Sequence, residues 1–84
     1  MQIPDNTYTQ TFSSGSRIFS EGDKGDVAYV IESGQIEISR TEQGVLAVLT
    51  EGQLFGEIAL IDDTPRTATA IALDDAVLTV VSRE

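Results

Sequence analysis

The chain contains no cysteine and no histidine. Without cysteine there are no disulfides, thiolate nucleophiles, zinc–thiolate sites or thiol-based redox sensors. Without histidine the usual general base near neutral pH and the commonest metal ligand are gone. A Ser-His-Asp triad and a metal-binding jelly roll of clustered histidines are both excluded. Carboxylates, two tyrosines, one lysine and four arginines remain, and neither an enzyme nor a metal site is expected from that set. Positive charge is scarce: five basic residues stand against fourteen acidic ones, a net charge of −9. Such a chain repels DNA and RNA and offers no basic patch to offset the repulsion. The same field opposes small anions at long range, so a bound anion requires a local, short-range site. No apolar run approaches the roughly 18 residues that span a bilayer. The opening MQIPDNTYTQ has neither the basic start nor the apolar stretch of a secretory signal. A cytoplasmic protein without a membrane partner is expected.

Eighty-four residues make one small domain or part of one, because domains most often run to roughly 100–150 residues. Glycines at 15, 22, 25, 34, 44, 52 and 56 divide the chain into short segments. Between them lie β-rich runs at Tyr8–Phe12, Arg17–Phe19, Val27–Ile31, Gln35–Arg40, Val45–Leu49, Thr67–Leu73 and Ala76–Val81. Alternation in Gln35-Ile36-Glu37-Ile38-Ser39 turns Ile36 and Ile38 inward. Short strands at this spacing predict an all-β fold, a sandwich or barrel with a jelly-roll-type β-roll among the options. EGDKGD (21–26) and ESGQ (32–35) read as tight turns. The glycines and aspartates of the first read as barrel-corner residues and do not fit a calcium loop. Tyr29, Ile31, Ile36 and Ile38 are core candidates. Asp62-Asp63 and Asp74-Asp75 read as solvated loop charges.

One segment, LFGEIALIDDTPR (54–66), departs from the strand pattern. Glu57-Ile58-Ala59-Leu60-Ile61 contains good helix formers and is stopped by Asp62-Asp63-Thr64-Pro65, which predicts a short helix inserted between strands. Gly56 precedes it, where the backbone needs either positive φ or close approach to a ligand. A helix start presents unpaired N–H groups that suit an anion. Arg66 follows with a planar fork that matches two phosphate oxygens. Glu57 can accept hydrogen bonds from a hydroxyl pair such as that of a ribose. Together these describe a pocket for a phosphate attached to a sugar. Taken singly, Arg66 reads as an ordinary surface or ion-paired arginine, Glu57 as a first-turn acid and Thr67 as a β-former at a strand start.

FGEIALIDDTPRTATA (55–70) resembles the phosphate-binding cassette of the cyclic nucleotide-binding domain family. IFSEGDKGDVAYVIESGQIEI (18–38) is similar to that family's upstream Gly-Asp signature. The resemblance implies a β-roll that binds a cyclic nucleotide and does no chemistry on it, with no cofactor beyond that ligand. It implies that Arg66 contacts the exocyclic phosphate oxygens and that Glu57 holds the ribose 2′-hydroxyl. Gly56 and the N–H groups of Ile58, Ala59 and Thr67 would line the phosphate and sugar, with Ala68 leaving room for the phosphate. Thr67 stands where a hydroxyl can reach the 2-amino group of a syn guanine. Family sites for cGMP commonly carry threonine there, yet bacterial members with threonine or serine resemble cAMP binders. On this reading cAMP is favoured over cGMP. The family's domains also carry flanking helices, including a carboxy-terminal lid. No segment here has the periodicity of one, so a fragment of a longer protein is expected, its effector domain or partner lying outside this chain. A homodimer is among the assemblies the reading allows. The alternative is a degenerate roll that serves as an interaction or dimerisation scaffold without binding nucleotide.

Overall fold

A computed structural model describes residues 7–82. Most of the opening stretch read above for a signal, and the last two residues, lie outside the described residues. Eight strands and one helical turn follow in chain order. They are β1 (Thr7–Phe12), β2 (Arg17–Phe19), β3 (Val27–Ser33), β4 (Ile36–Arg40), β5 (Gly44–Leu49) and β6 (Leu54–Phe55), then a 3₁₀ turn (Glu57–Leu60), β7 (Thr69–Ala72) and β8 (Ala76–Ser82). They form two antiparallel four-stranded sheets, ordered β1-β8-β3-β6 and β2-β7-β4-β5. The result is the expected jelly-roll-type β-roll.

Alternation sets which side chains meet between the sheets. On β8, Ala76, Leu78 and Val80 are buried while Val77, Thr79 and Val81 are not. Ile31 from β3 and Ile36 from β4 join Leu78 and Val80 as the largest fully buried side chains. Ala70, Ala72 and Ala76 complete this core and leave space for the larger residues opposite. At one end Phe19, Tyr29 and Phe55 form an aromatic cluster. Tyr29 stacks on Phe55 with centroids 5.2 Å apart and Phe19 lies 6.0 Å from each.

The structure corrects several boundaries. Leu54 and Phe55 pair with Val30 and Tyr29, so the apolar insertion opens with a strand too short to show alternation. Strand β7 begins at Thr69, leaving Thr67 and Ala68 in a bend before it. Asp74 and Asp75 are not idle loop charges. Asp74 accepts the Gln35 N–H at 2.8 Å and Asp75 accepts the Ser14 N–H at 2.9 Å, so the β7–β8 turn fastens two other turns. Glu21 does similar work, accepting both the N–H and the hydroxyl of Thr41 at 2.9 Å.

Two outcomes follow from this scaffold. Gly34 has φ 95°, and a Cβ there would stand 2.8 Å from Ala76 Cα, Ala76 Cβ and the Asp75 carbonyl. Gly34→Ala combines left-handed strain with a backbone clash, and its urea midpoint should fall by the equivalent of about 2 kcal/mol or more. The Thr41 donors hold the Glu21 carboxyl below its ordinary 4.5, so its stabilising contribution is present above that value and is lost as pH falls through and below it. Glu21→Gln should therefore lose less stability than wild type between about pH 5 and about pH 3, measured by thermal melts across the series.

Candidate functional site

The cassette begins where β6 ends. Gly56 adopts φ 74°, ψ 16°, a left-handed conformation that side chains resist, and this turns the chain sharply into the 3₁₀ turn. The expected helix is a single turn of four residues. It is too short to sum a macrodipole, and its Ala59 N–H is engaged with the Gly56 carbonyl at 3.3 Å. Ala59 is buried, whereas Glu57 and Ile58 are exposed. The turn packs against β3, which places Glu57 and Ile58 at the lip of a cavity.

That cavity holds about 300 Å³, at the small end of ligand pockets. All seven residues singled out from the sequence line it: Gly56, Glu57, Ile58, Ala59, Arg66, Thr67 and Ala68. The wall that sequence reasoning missed is mostly apolar and comes from other strands. Phe19, Ile38, Ala47, Leu49 and Leu54 contribute to it. In sequence Phe19, Ile38, Ala47 and Leu49 are ordinary strand residues and Leu54 opens the irregular segment, and no local motif separates a wall position from a core one. Thr64 and Pro65 also line the cavity, and their place inside the cassette motif was the available signal.

Arg66 is 9% exposed. Its Nη2 donates to the Val27 carbonyl at 2.9 Å and its Nη1 to the Gly56 carbonyl at 3.3 Å. Its Cζ lies 4.2 Å from the centroid of the Phe19 ring, a cation–π contact of about 0.5–2 kcal/mol. The Nε–H is buried and has no hydrogen-bond partner. Burying a charged group is costly unless its donors are satisfied, so this side chain retains capacity for an acceptor. The main chain on both sides is pinned. The Arg66 N–H donates to the Asp23 carbonyl and the Gly22 N–H donates to the Arg66 carbonyl, each at 2.7 Å. Arg40 Nε donates to the Thr67 carbonyl at 2.8 Å.

The guanidinium also marks its neighbours electrostatically. Burial pushes the Tyr29 hydroxyl above its ordinary 10.0, and the nearby Arg66 charge opposes that shift. Tyr29 therefore stays neutral and packs as an aromatic behind Phe55 and Phe19. Among the described residues, no group of three or more His, Cys, Asp or Glu is placed to hold a metal ion. No helix among them is long and apolar enough to cross a membrane.

Comparison with known proteins gives the same region a context. The model of the cyclic nucleotide-binding domain matches residues 9–84. A cAMP-dependent protein kinase regulatory subunit of Debaryomyces hansenii is 38% identical over 82 residues, covering 98% of this chain and 18% of its own length. The cyclic AMP receptor protein of Thermus thermophilus is 39% identical over 77 residues, covering 87% of this chain and 36% of its own length. Among solved structures, cAMP-bound PfPKA-R superimposes with a TM-score of 0.89 at 37% identity over 94% of this chain and 29% of that one. The chain thus spans about a fifth to about a third of the curated relatives it matches. With a family model matched over nearly its whole length and a β-roll shared with cAMP-bound relatives, this chain belongs to the cyclic nucleotide-binding domain family.

Proposed function

We propose that this chain is the sensing module of a cyclic-nucleotide-regulated cytoplasmic protein and that it binds cAMP in preference to cGMP without chemistry on the ligand. The observation that carries the reading is Arg66, a buried guanidinium with an unpartnered Nε–H in the wall of a cavity of about 300 Å³. In a chain of net charge −9, a cation so placed suits an anion of matching shape. A phosphate monoanion takes two parallel hydrogen bonds from a guanidinium, and Arg66 has donors left after its two carbonyl bonds. Glu57 at the lip is positioned to accept ribose hydroxyls, and the apolar wall of Phe19, Ile38, Leu49 and Leu54 suits the rest of a nucleoside. The relatives named for cAMP support the choice of ligand, and their greater length supports an effector domain or partner that reads the bound state.

A second reading has one observation in its favour. Leu54 and Ile58 are half-exposed at the cavity and Ile61, one turn on, is 86% exposed. Apolar side chains so displayed suit contact with another protein surface, as a scaffold would need.

Titration of the chain with cAMP and with cGMP, followed by backbone amide NMR, separates the two. Saturable shifts at Gly56, Glu57, Ala59, Thr67 and Ala68, tighter for cAMP, are the expected outcome. A folded chain with no shifts up to millimolar nucleotide favours the scaffold. Arg66→Ala should weaken cAMP binding by about 100-fold or more with the amide spectrum otherwise retained. Glu57→Ala should weaken it by about tenfold, since it removes bonds to neutral hydroxyls. Unchanged affinity in Arg66→Ala would sink the site assignment. Salt offers an independent check. Most anion sites weaken as salt rises, but here the long-range field repels the ligand. The association rate should rise about two- to fivefold from about 10 mM to about 300 mM salt, read by stopped-flow with a fluorescent cAMP analogue.

A further inference from the structure

Two segments far apart in sequence converge on one guanidinium. The cassette supplies Arg66 with the carbonyl of Gly56, just before the 3₁₀ turn, whereas the region from Gly22 to Val27 supplies a second carbonyl and two main-chain hydrogen bonds. Gly22 and Asp23 exchange two main-chain hydrogen bonds with Arg66, both 2.7 Å, and the Val27 carbonyl takes the Nη2 donor at 2.9 Å. Between them lies Gly25. A Cβ built there would stand 2.5 Å from Nη2 and 2.6 Å from both Cζ and Nε of Arg66. Near-equal distances to three atoms of a planar group put that Cβ over the face of the guanidinium. Gly25 is not among the glycines with positive φ, so left-handed backbone is not what calls for glycine there. The requirement for glycine is spatial.

We propose that Gly25 is a positioning residue for Arg66. Its bare backbone admits the guanidinium to a seat against the Phe19 ring and so sets the depth from which the remaining N–H donors meet an anion in the cavity. The inference rests on the cyclic-nucleotide reading of that cavity and gives the EGDKGD turn a role in recognition. A methyl group at 25 must move the guanidinium by about 0.9 Å to reach ordinary contact at 3.4 Å. Such a shift stretches the bonds to Val27 and Gly56 and misaligns a fork whose strength depends on direction. The backbone itself need not move, because the obstructed atoms are the far end of a long side chain. The effect should therefore grow with side-chain size while the β-roll persists.

The test uses the full 84-residue chain with Gly25→Ala and Gly25→Val, each alone and combined with Arg66→Ala. Without nucleotide, the Arg66 Nε–Hε resonance should report the Phe19 ring in wild type and move toward the position of free arginine, further for Val than for Ala. With cAMP, affinity should fall roughly tenfold for Ala and roughly 100-fold for Val. In the Arg66→Ala background, Gly25→Ala should change the residual affinity by less than about twofold, because the two substitutions remove the same interaction. A folded Gly25→Val with wild-type Hε shift and wild-type affinity overturns the proposal. An equal loss in both backgrounds overturns it too, since that is the mark of a merely structural glycine. If Val prevents folding, the Ala variant decides by the same criteria. A wild-type chain that binds no cyclic nucleotide overturns the proposed function separately, and the Hε resonance still decides whether Gly25 makes the seat.

Discussion

Burying a guanidinium is among the costlier things a small domain can do, and this fold is organised around one. Arg66 is removed from water by an aromatic ring, two backbone carbonyls and a glycine that lie at Phe19, Val27, Gly56 and Gly25. Each contact constrains an element. Phe19 ties β2 to the site, Val27 the start of β3, Gly56 the end of β6, and Gly22 and Asp23 the turn between β2 and β3. Because a charge left in a dry interior without partners costs several kcal/mol, these elements cannot drift apart independently. The aromatic cluster of Phe19, Tyr29 and Phe55 then links the seat to the core between the sheets.

The electrostatics of the site follow from a contrast of ranges. At distances beyond about 10 Å a net charge of −9 acts as a diffuse repulsive field that physiological salt largely screens. Within hydrogen-bond distance, one desolvated guanidinium dominates, since short-range directional bonds in a low-dielectric pocket are much stronger than the screened field. Selection of an anion at this site is thereby left to shape and hydrogen bonding instead of to bulk attraction. The single 3₁₀ turn fits this division. It contributes backbone geometry through the left-handed Gly56 and an acidic side chain at the lip, while the positive charge comes from Arg66.

Much of the fold was legible because strand alternation is a local property. Gln35 to Ser39 shows its inward residues without reference to any neighbour, and the structure buries Ile36 and packs Ile38 against the core. Strand β6 was not legible, because two residues have no period and Leu54 and Phe55 become a strand only by pairing with β3. The Asp74-Asp75 pair was misread for a related reason. Aspartates in a turn look alike whether they face water or cap a distant N–H, and the Gln35 and Ser14 donors lie far away in sequence.

The all-β class, the exclusion of histidine- and cysteine-based chemistry, and the cassette with Gly56, Glu57, Arg66, Thr67 and Ala68 can be read before any folding is considered. Each of these is written in residue identity or in spacing over a few positions. Folding of the chain set which strands face the cassette and which residues complete the cavity. It also decided that Gly25 is a matter of space and that Arg66 keeps an unpartnered donor. Those facts concern the positions of atoms brought together by sheet pairing and turn closure. No local rule of propensity or periodicity reports the distance between a guanidinium and a glycine in another motif.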